Sequence, residues 1–250
     1  MAPIDPQPLD DVTRRALAGV TTATLTTVLL KKGLRNVWIR GARPLAERLP
    51  ERVVGRAFTL RFVPAREDLA TPASWGSPIS TRAAIEAMPA GAVAVVDAMG
   101  ISAAGIFGDI LCARMKKRGV AALVTDGVVR DLAGVLGTAL PVWCQGAAAP
   151  ASVNGLTFVG WQESIGCGGV AVLPNDVIVA DGDGAVVIPA EFVADVVAAA
   201  VEQERLEGWI MREVDAGVPL PGLYPANEAT RARYEAWARD QAAAPESGRS

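Results

Sequence analysis

The sequence predicts an α/β protein folded as a single domain, with about eight short strands and helices gathered at its two ends and its middle. Three observations carry this reading. A length of 250 residues falls within the range of one domain. An apolar fraction of 51% against 20% charged residues supplies a large core. Short apolar runs, separated by turn-forming Gly, Pro and Asp, recur between Val53 and Ile188.

The elements follow in order. Residues 1–10 contain three prolines and read as a loose arm. From Asp11 to Gly33 the pattern predicts two helices broken near Gly19–Thr21, the second capped by Thr21 or Thr22 and stopped at Gly33. Val53 to Val63 alternates as a strand. Pro64 to Pro78 is polar and long for a connection, so Arg66, Glu67, Asp68 and Trp75 form either a lid or rim, or a plain surface excursion. Ser80 to Met88 reads as a short helix, and Ala92 to Asp97 as a buried strand. Asp97, at the strand end, is either a site carboxylate or a turn cap.

Beyond it a helix is expected over 109–117 and strands over 120–124, 140–145, 155–161, 170–173, 177–180 and 185–188. Asp181-Gly182-Asp183-Gly184 joins the last two as a hairpin. It fails as a calcium loop, because Val179 and Ala190 would fall on the first and last ligand positions. Glu191 to Val214 is a long helix, with Glu202, Glu204 and Glu207 on its solvated face. A last helix runs from Glu228 to Arg239, and the chain after Gln241 reads as a disordered tail.

Composition excludes several functions. A net charge of −3 and a pI near 5.2 argue against nucleic acid as a partner. No apolar run is long enough to cross a membrane, and the N-terminus MAPIDPQPLDD carries no cationic, apolar signal. A cytoplasmic location is expected. Cys112, Cys144 and Cys167 are too few and too widely spaced for a disulfide framework or a metal knuckle. The chain has no histidine. That removes Ser-His-Asp and Cys-His catalysis and any histidine-held zinc or iron. Cys167, despite its glycine-rich surroundings, therefore reads as structural. A metal here must be held by carboxylates, carbonyls and water, which points to magnesium or manganese. The four lysines stand in two pairs, 31–32 and 116–117, in polar turns, so Schiff-base chemistry is set aside.

One stretch combines the remaining chemistry. Gly108 to Asp131 reads GDILCARMKKRGVAALVTDGVVRD. A helix start at Gly108-Asp109 offers unpaired amides and a positive dipole end to a carboxylate or phosphate. Arg130 adds a planar fork for an acid, and Asp131 an oxygen ligand for a hard cation. The alternative reading of Arg130-Asp131 is a surface ion pair or a helix cap. In an extended segment the two side chains point to opposite sides, and only a turn brings them to one ligand. Gly105 and Gly108 permit close backbone approach, at a spacing that fits neither a dinucleotide fingerprint nor a P-loop.

Asp109, the twenty residues 110–129 and Arg130-Asp131 also form a spaced pattern. It resembles the Asp-x20-Arg-Asp pattern of the divalent-metal pyruvate aldolases in the RraA-like family, which also holds the regulator of ribonuclease activity A. Those aldolases act on 4-hydroxy-4-methyl-2-oxoglutarate and 4-carboxy-4-hydroxy-2-oxoadipate. The resemblance continues through PVWCQG at 141–146, GCGGVAVLPNDVIVADGDGAVVIP at 166–189 and Leu223-Tyr224-Pro225. It departs at Thr26-Thr27-Val28, where family members usually carry Asp-Ala-Leu, so that aspartate's role does not transfer.

The resemblance implies a three-layer β/β/α swivelling fold, assembled as a homotrimer or homohexamer with sites at subunit interfaces. It divides the chain into an arm (1–14), the RraA-like domain (15–225) and a C-terminal helical extension with its tail (226–250). It further implies a lyase that cleaves a 4-hydroxy-2-oxo acid to pyruvate, with oxaloacetate decarboxylation as a related activity. Magnesium or manganese would sit at Asp131. The amides of Gly108, Asp109, Ile110 and Leu111, together with Arg130, would hold the small 2-oxo acid. Arg130 would stabilise the enolate, and Asp109 would orient water or move a proton. In the aldolases a C-terminal glutamate of a neighbouring subunit approaches the metal; no residue here is assigned to it. Two other functions stay open: a non-catalytic, protein-binding regulator of ribonuclease E type, whose members tend to lack the pattern, and a sugar-acid or hydroxy-acid lyase or hydratase on the same scaffold.

Overall fold

The computed structural model describes residues 5–47 and 52–243. The chain opens with α1 (Asp11–Ala18) and α2 (Thr22–Lys31). Asp10 caps α1 by accepting from the Thr13 amide at 2.8 Å, and Thr21 caps α2 by accepting from the Thr24 amide at 3.1 Å. There follow β1 (Arg43–Pro44), β2 (Val53–Pro64), α3 (Thr81–Ala87) and β3 (Val93–Asp97), then α4 (Asp109–Lys117), β4 (Ala122–Thr125), α5 (Leu132–Gly137) and β5 (Val142–Cys144). The fold continues through β6 (Leu156–Trp161), β7 (Val177–Asp181), β8 (Gly184–Ile188), α6 (Val193–Asp215) and α7 (Glu228–Ala243).

The strands pair in the order β1-β5-β4-β3-β2-β7-β8, with β6 also on β2. Strands β2, β3, β4 and β5 run parallel to one another, and β1 lies antiparallel on β5. The long strand β2 serves two sheets. Residues Val53–Arg56 pair antiparallel with β7, Ala57–Arg61 pair with β3, and Leu60–Pro64 pair with β6.

Side-chain alternation along the strands separates three cores. Ala94 and Val96 of β3 face the helices, in a core with Phe58, Ile85, Phe107 and Met115. Val93 and Val95 face the other way, against Ile178, Ala180, Ala185 and Val187 of β7 and β8. The opposite side of those two strands, Val177, Val179, Val186 and Ile188, is covered by Leu17, Leu25, Leu29 and Val196. The two facing sheets and the α3–α4 side form the β/β/α layers the resemblance implies, and α1, α2 and the start of α6 cover the far face of β7 and β8.

Residues up to Ala200 form one compact unit and those from Val201 a second. The second buries Leu206, Trp209, Ile210, Leu223 and Tyr234 around one another and pairs Arg233 with Glu213. The Arg212 guanidinium lies 4.3 Å from the Trp237 ring centroid. No helix among the described residues is long and apolar enough to cross a membrane.

Three expectations change. Val170 to Leu173 is not a strand. Gly168 and Gly169, at φ 55° and 74°, curl the chain ahead of it, and only a bridge between Ile165 and Val172 remains. Val170 and Val172 are buried in the middle core, so their alternation reported burial rather than pairing. Residues 5–10 are not loose. The Gln7 amide donates to Asn175 Oδ1 at 2.8 Å, and Asn175 Nδ2 donates to the Asp5 carbonyl at 3.0 Å. At α5 the alternative reading of Arg130-Asp131 holds in part: a helix does start at Leu132 behind Asp131, but the Asp131 side chain does not cap it. The expected tail lies, from residue 244 on, outside the described residues.

Candidate functional site

The site is built on the segment that leaves β4. Residues 128–130 run extended and are clamped along both edges. On one side the Ile106 amide donates to the Val128 carbonyl at 2.9 Å, and the Arg130 amide to the Phe107 carbonyl at 2.9 Å. On the other the Val129 amide donates to the Gly146 carbonyl at 3.0 Å, and the Ala148 amide to the Val129 carbonyl at 2.8 Å. Arg130 is thereby fixed by backbone pairing rather than by its own side chain.

Asp131 then breaks the alternation. It adopts φ 54° and ψ 50°, a left-handed turn that aspartate tolerates better than most residues. The turn swings its carboxylate back onto its neighbour, and Arg130 Nε donates to Asp131 Oδ2 at 3.1 Å. Asp131 stands at the start of α5 but its side chain makes no cap bond. The pair is an ion pair, as the alternative reading held, and it also opens onto a cavity. Arg130 and Asp131 side chains are 38% and 48% exposed.

The cavity, of about 420 Å³, is lined by all six expected residues: Gly108, Asp109, Ile110, Leu111, Arg130 and Asp131. Of the four amides expected to hold a carboxylate, the Ile110 amide is already taken, donating to Asp109 Oδ1 at 2.7 Å. Those of Gly108, Asp109 and Leu111 have no acceptor among the described residues. Glycines set the closeness of the parts. A side chain at Gly105 would meet the Arg130 nitrogen and Cβ at 2.8 Å, and one at Gly108 would meet Asp131 Oδ2 at 2.7 Å. Gly134, in α5, lies against Asp109, where a Cβ would approach the aspartate Cβ to 2.7 Å. The sequence reading missed Gly134; a glycine inside a helix, costing about 1 kcal/mol against alanine, was the available signal.

Trp75, Thr81, Arg82 and Ser152 also line it, and Gly105, Ile106 and Ala151 complete the wall. Trp75 is therefore the one residue of the expected lid or rim to reach the cavity. Arg66 and Asp68 instead pair with each other at 2.5 Å.

The other sequence candidates lie elsewhere. Asp97 caps its own turn, accepting from the Met99 amide at 3.0 Å, and ties in the Gly166 amide at 3.2 Å. Asp126 is 4% exposed and accepts from the amides of Ala98, Gly100 and Gly168 at 2.8, 3.1 and 3.0 Å. Burial raises its pKa despite those three donors. Cys112, Cys144 and Cys167 are free and buried, and burial pushes all three thiols up, Cys112 to about 12. They are structural residues. The Asp181–Gly184 turn is the expected hairpin, closing β7 on β8. Both lysine pairs are exposed, which leaves no desolvated amine for a Schiff base.

Among the described residues no group of three or more His, Cys, Asp or Glu side chains could hold a metal. Asp109 and Asp131 do line one cavity, and a hard cation such as magnesium takes one or two carboxylates and keeps its waters. The donor set among the described residues fits that mode.

A layered β/β/α fold with an arginine–aspartate pair facing a helix start defines a class, and sequence comparison agrees with it. The RraA-like family model, described as Aldolase/RraA, matches residues 22–187, and the chain belongs to that family. A protein of Halalkalibacterium halodurans named "Putative 4-hydroxy-4-methyl-2-oxoglutarate aldolase" is 36% identical over 148 residues, 59% of this chain and 63% of that protein. Protein DlpA of Legionella pneumophila is 26% identical over 71% of this chain, which spans only 28% of DlpA. Among solved structures, Streptomyces coelicolor RraAS2, described as an unusual member of the RNase ES inhibitor RraA protein family, is 34% identical. It superposes with a TM-score of 0.72 over 81% of this chain and 97% of its own. An uncharacterized protein of Pseudomonas syringae, 25% identical, gives 0.74 over 87% and 99%.

Proposed function

We propose that the protein is a divalent-metal-dependent lyase that cleaves a 4-hydroxy-2-oxo acid to pyruvate and also decarboxylates oxaloacetate. The observation that carries this reading is the left-handed turn at Asp131, which turns a guanidinium and a carboxylate together toward the unpartnered amides of α4. The likeness to the H. halodurans protein supports it.

The roles follow from the chemistry. The amides of Gly108, Asp109 and Leu111 bind the substrate carboxylate at the positive end of α4. In the cleavage the 4-hydroxyl loses its proton, the C3–C4 bond breaks, and its electron pair forms the enolate of pyruvate. C4 becomes a carbonyl, and a proton returns to C3. Arg130 faces the oxygen on which negative charge grows, a stabilisation worth several kcal/mol in water-poor sites. Asp109, held by Gly134, orients water or moves the proton. Magnesium or manganese, held by Asp131 with water filling the other positions, would polarise the 2-oxo group. Decarboxylation of oxaloacetate passes through the same enolate.

Pyruvate release from 4-hydroxy-4-methyl-2-oxoglutarate and from oxaloacetate tests the proposal, with magnesium, manganese or chelator, beside Asp131→Asn. Turnover that needs metal and is lost in the variant supports it. Absent turnover from both acids with metal supplied sinks it. The likeness to RraAS2 favours a second reading, a protein-binding regulator. That reading gains from inactivity combined with inhibition of a ribonuclease E-type enzyme.

A further inference from the structure

A second guanidinium reaches the cleft that holds Arg130. Arg82, in the first turn of α3, lines it together with Trp75. Other arginines nearby have found carboxylates: Arg114 and Arg118 close on Glu86 at 2.7 and 3.2 Å, and Arg66 on Asp68. Arg82 pairs with no carboxylate among the described residues. Its guanidinium carbon lies 4.9 Å from the centroid of the Trp75 ring instead. Partial burial pulls its pKa below the ordinary value, as for a cation losing water without gaining an anion, and an arginine stays charged regardless.

An aromatic face holds a guanidinium in position without using its N–H donors. The donors of Arg82 are thus held but unspent. Trp75 itself is fixed by a short helical turn, Pro72–Gly76, in which Ser74 Oγ donates to the Thr71 carbonyl at 2.6 Å. The two arginines of the cleft differ in charge balance. Arg130 is offset by Asp131, whereas Arg82 leaves a full positive charge over the cavity. A substrate held by the α4 amides at one end meets that surplus with whatever it carries at the other.

We infer that Arg82, seated on Trp75, is the specificity residue of this cleft, gripping an acid group at the end of the substrate remote from its 2-oxo acid. The inference rests on reading the cleft as a 2-oxo acid site. It gives the long 64–78 connection a function, because that segment delivers the tryptophan that orients the arginine.

The test compares 4-hydroxy-4-methyl-2-oxoglutarate with 4-hydroxy-2-oxopentanoate, which ends in a methyl group, in wild type, Arg82→Gln and Trp75→Leu. Arg82→Gln should lower kcat/KM for the dicarboxylate about 10- to 100-fold, through KM, and change the methyl-ended substrate less than about twofold. Trp75→Leu should show a smaller loss with the same selectivity. Equal losses on both substrates, or none, overturn the inference. Calorimetric binding of 2-oxoglutarate and 2-oxobutyrate with magnesium separates its fate from that of the lyase reading. If wild type releases no pyruvate yet prefers 2-oxoglutarate, and Arg82→Gln erases that preference, the specificity residue stands and the lyase falls. If pyruvate is released while Arg82→Gln discriminates as wild type does, the lyase stands and the inference falls. No turnover with equal binding of the two acids overturns both.

Discussion

Asp126 and Asp131 lie five residues apart on one segment, yet they do opposite things. Asp126 directly follows β4 and is buried, with three backbone amides from two other loops closed on its oxygens. Asp131 lies past the next turn, half exposed on a cavity, with one partner, Arg130. A carboxylate whose acceptor sites are filled by the chain holds loops together and has nothing left to offer a ligand. One that keeps free lone pairs beside a guanidinium can bind. The number of donors already engaged separates architecture from chemistry here, and acidity of the residue type does not.

Substitutions can break that contrast, and the largest effect belongs to Asp131. Asp131→Asn keeps a residue suited to the left-handed turn and removes the charge. Catalysis measured as pyruvate release should fall about 100- to 1000-fold, while thermal unfolding stays within about 2 °C of wild type. A matching loss of stability would make Asp131 a second structural carboxylate.

Gly105→Ala should do both kinds of damage. The new methyl meets the backbone and Cβ of Arg130 at 2.8 Å, so either β-like pairing or Arg130 must move. We expect about 3 kcal/mol of lost stability in denaturant unfolding together with reduced turnover. A fully stable, fully active variant would show that the close approach is unnecessary.

Asp126→Asn should cost stability alone, about 2 kcal/mol, since an amide cannot accept on both sides. The pH dependence has a definite sign. Burial raises the native pKa of Asp126 above its unfolded value, so the folded chain takes up this proton first. The stability it lends is full below the unfolded value and is lost as pH rises through the raised native one. The unfolding free-energy gap between wild type and variant should therefore widen as the pH falls from neutral; a constant gap would contradict a raised native pKa. The smallest effect is expected at the cysteines, whose burial holds the thiols protonated. Iodoacetamide at neutral pH should label none of the three in native protein and all in denaturant; labelling of native protein would place a thiol in solvent.

The sequence alone determined which chemical groups this protein has to work with. The absence of histidine, the spacing from Asp109 to Arg130-Asp131 and the glycines around 105–108 are local facts that survive in any fold, and the helix and strand periods are local too. Trp75 was legible as part of a rim, although nothing in the sequence tied it to Arg82. What only the tertiary structure decided is which of these residues meet. The turn that folds Asp131 back onto Arg130 depends on one backbone angle, which no side-chain pattern encodes. Gly134 reaches Asp109, and Arg82 reaches the cleft, across separations that sequence proximity does not measure. Val170 and Val172 show the same limit from the other side, because alternation reports which side chains are buried and leaves their partners open. Residue type fixes what a group can do, and the long-range packing of sheets and helices fixes what it is near.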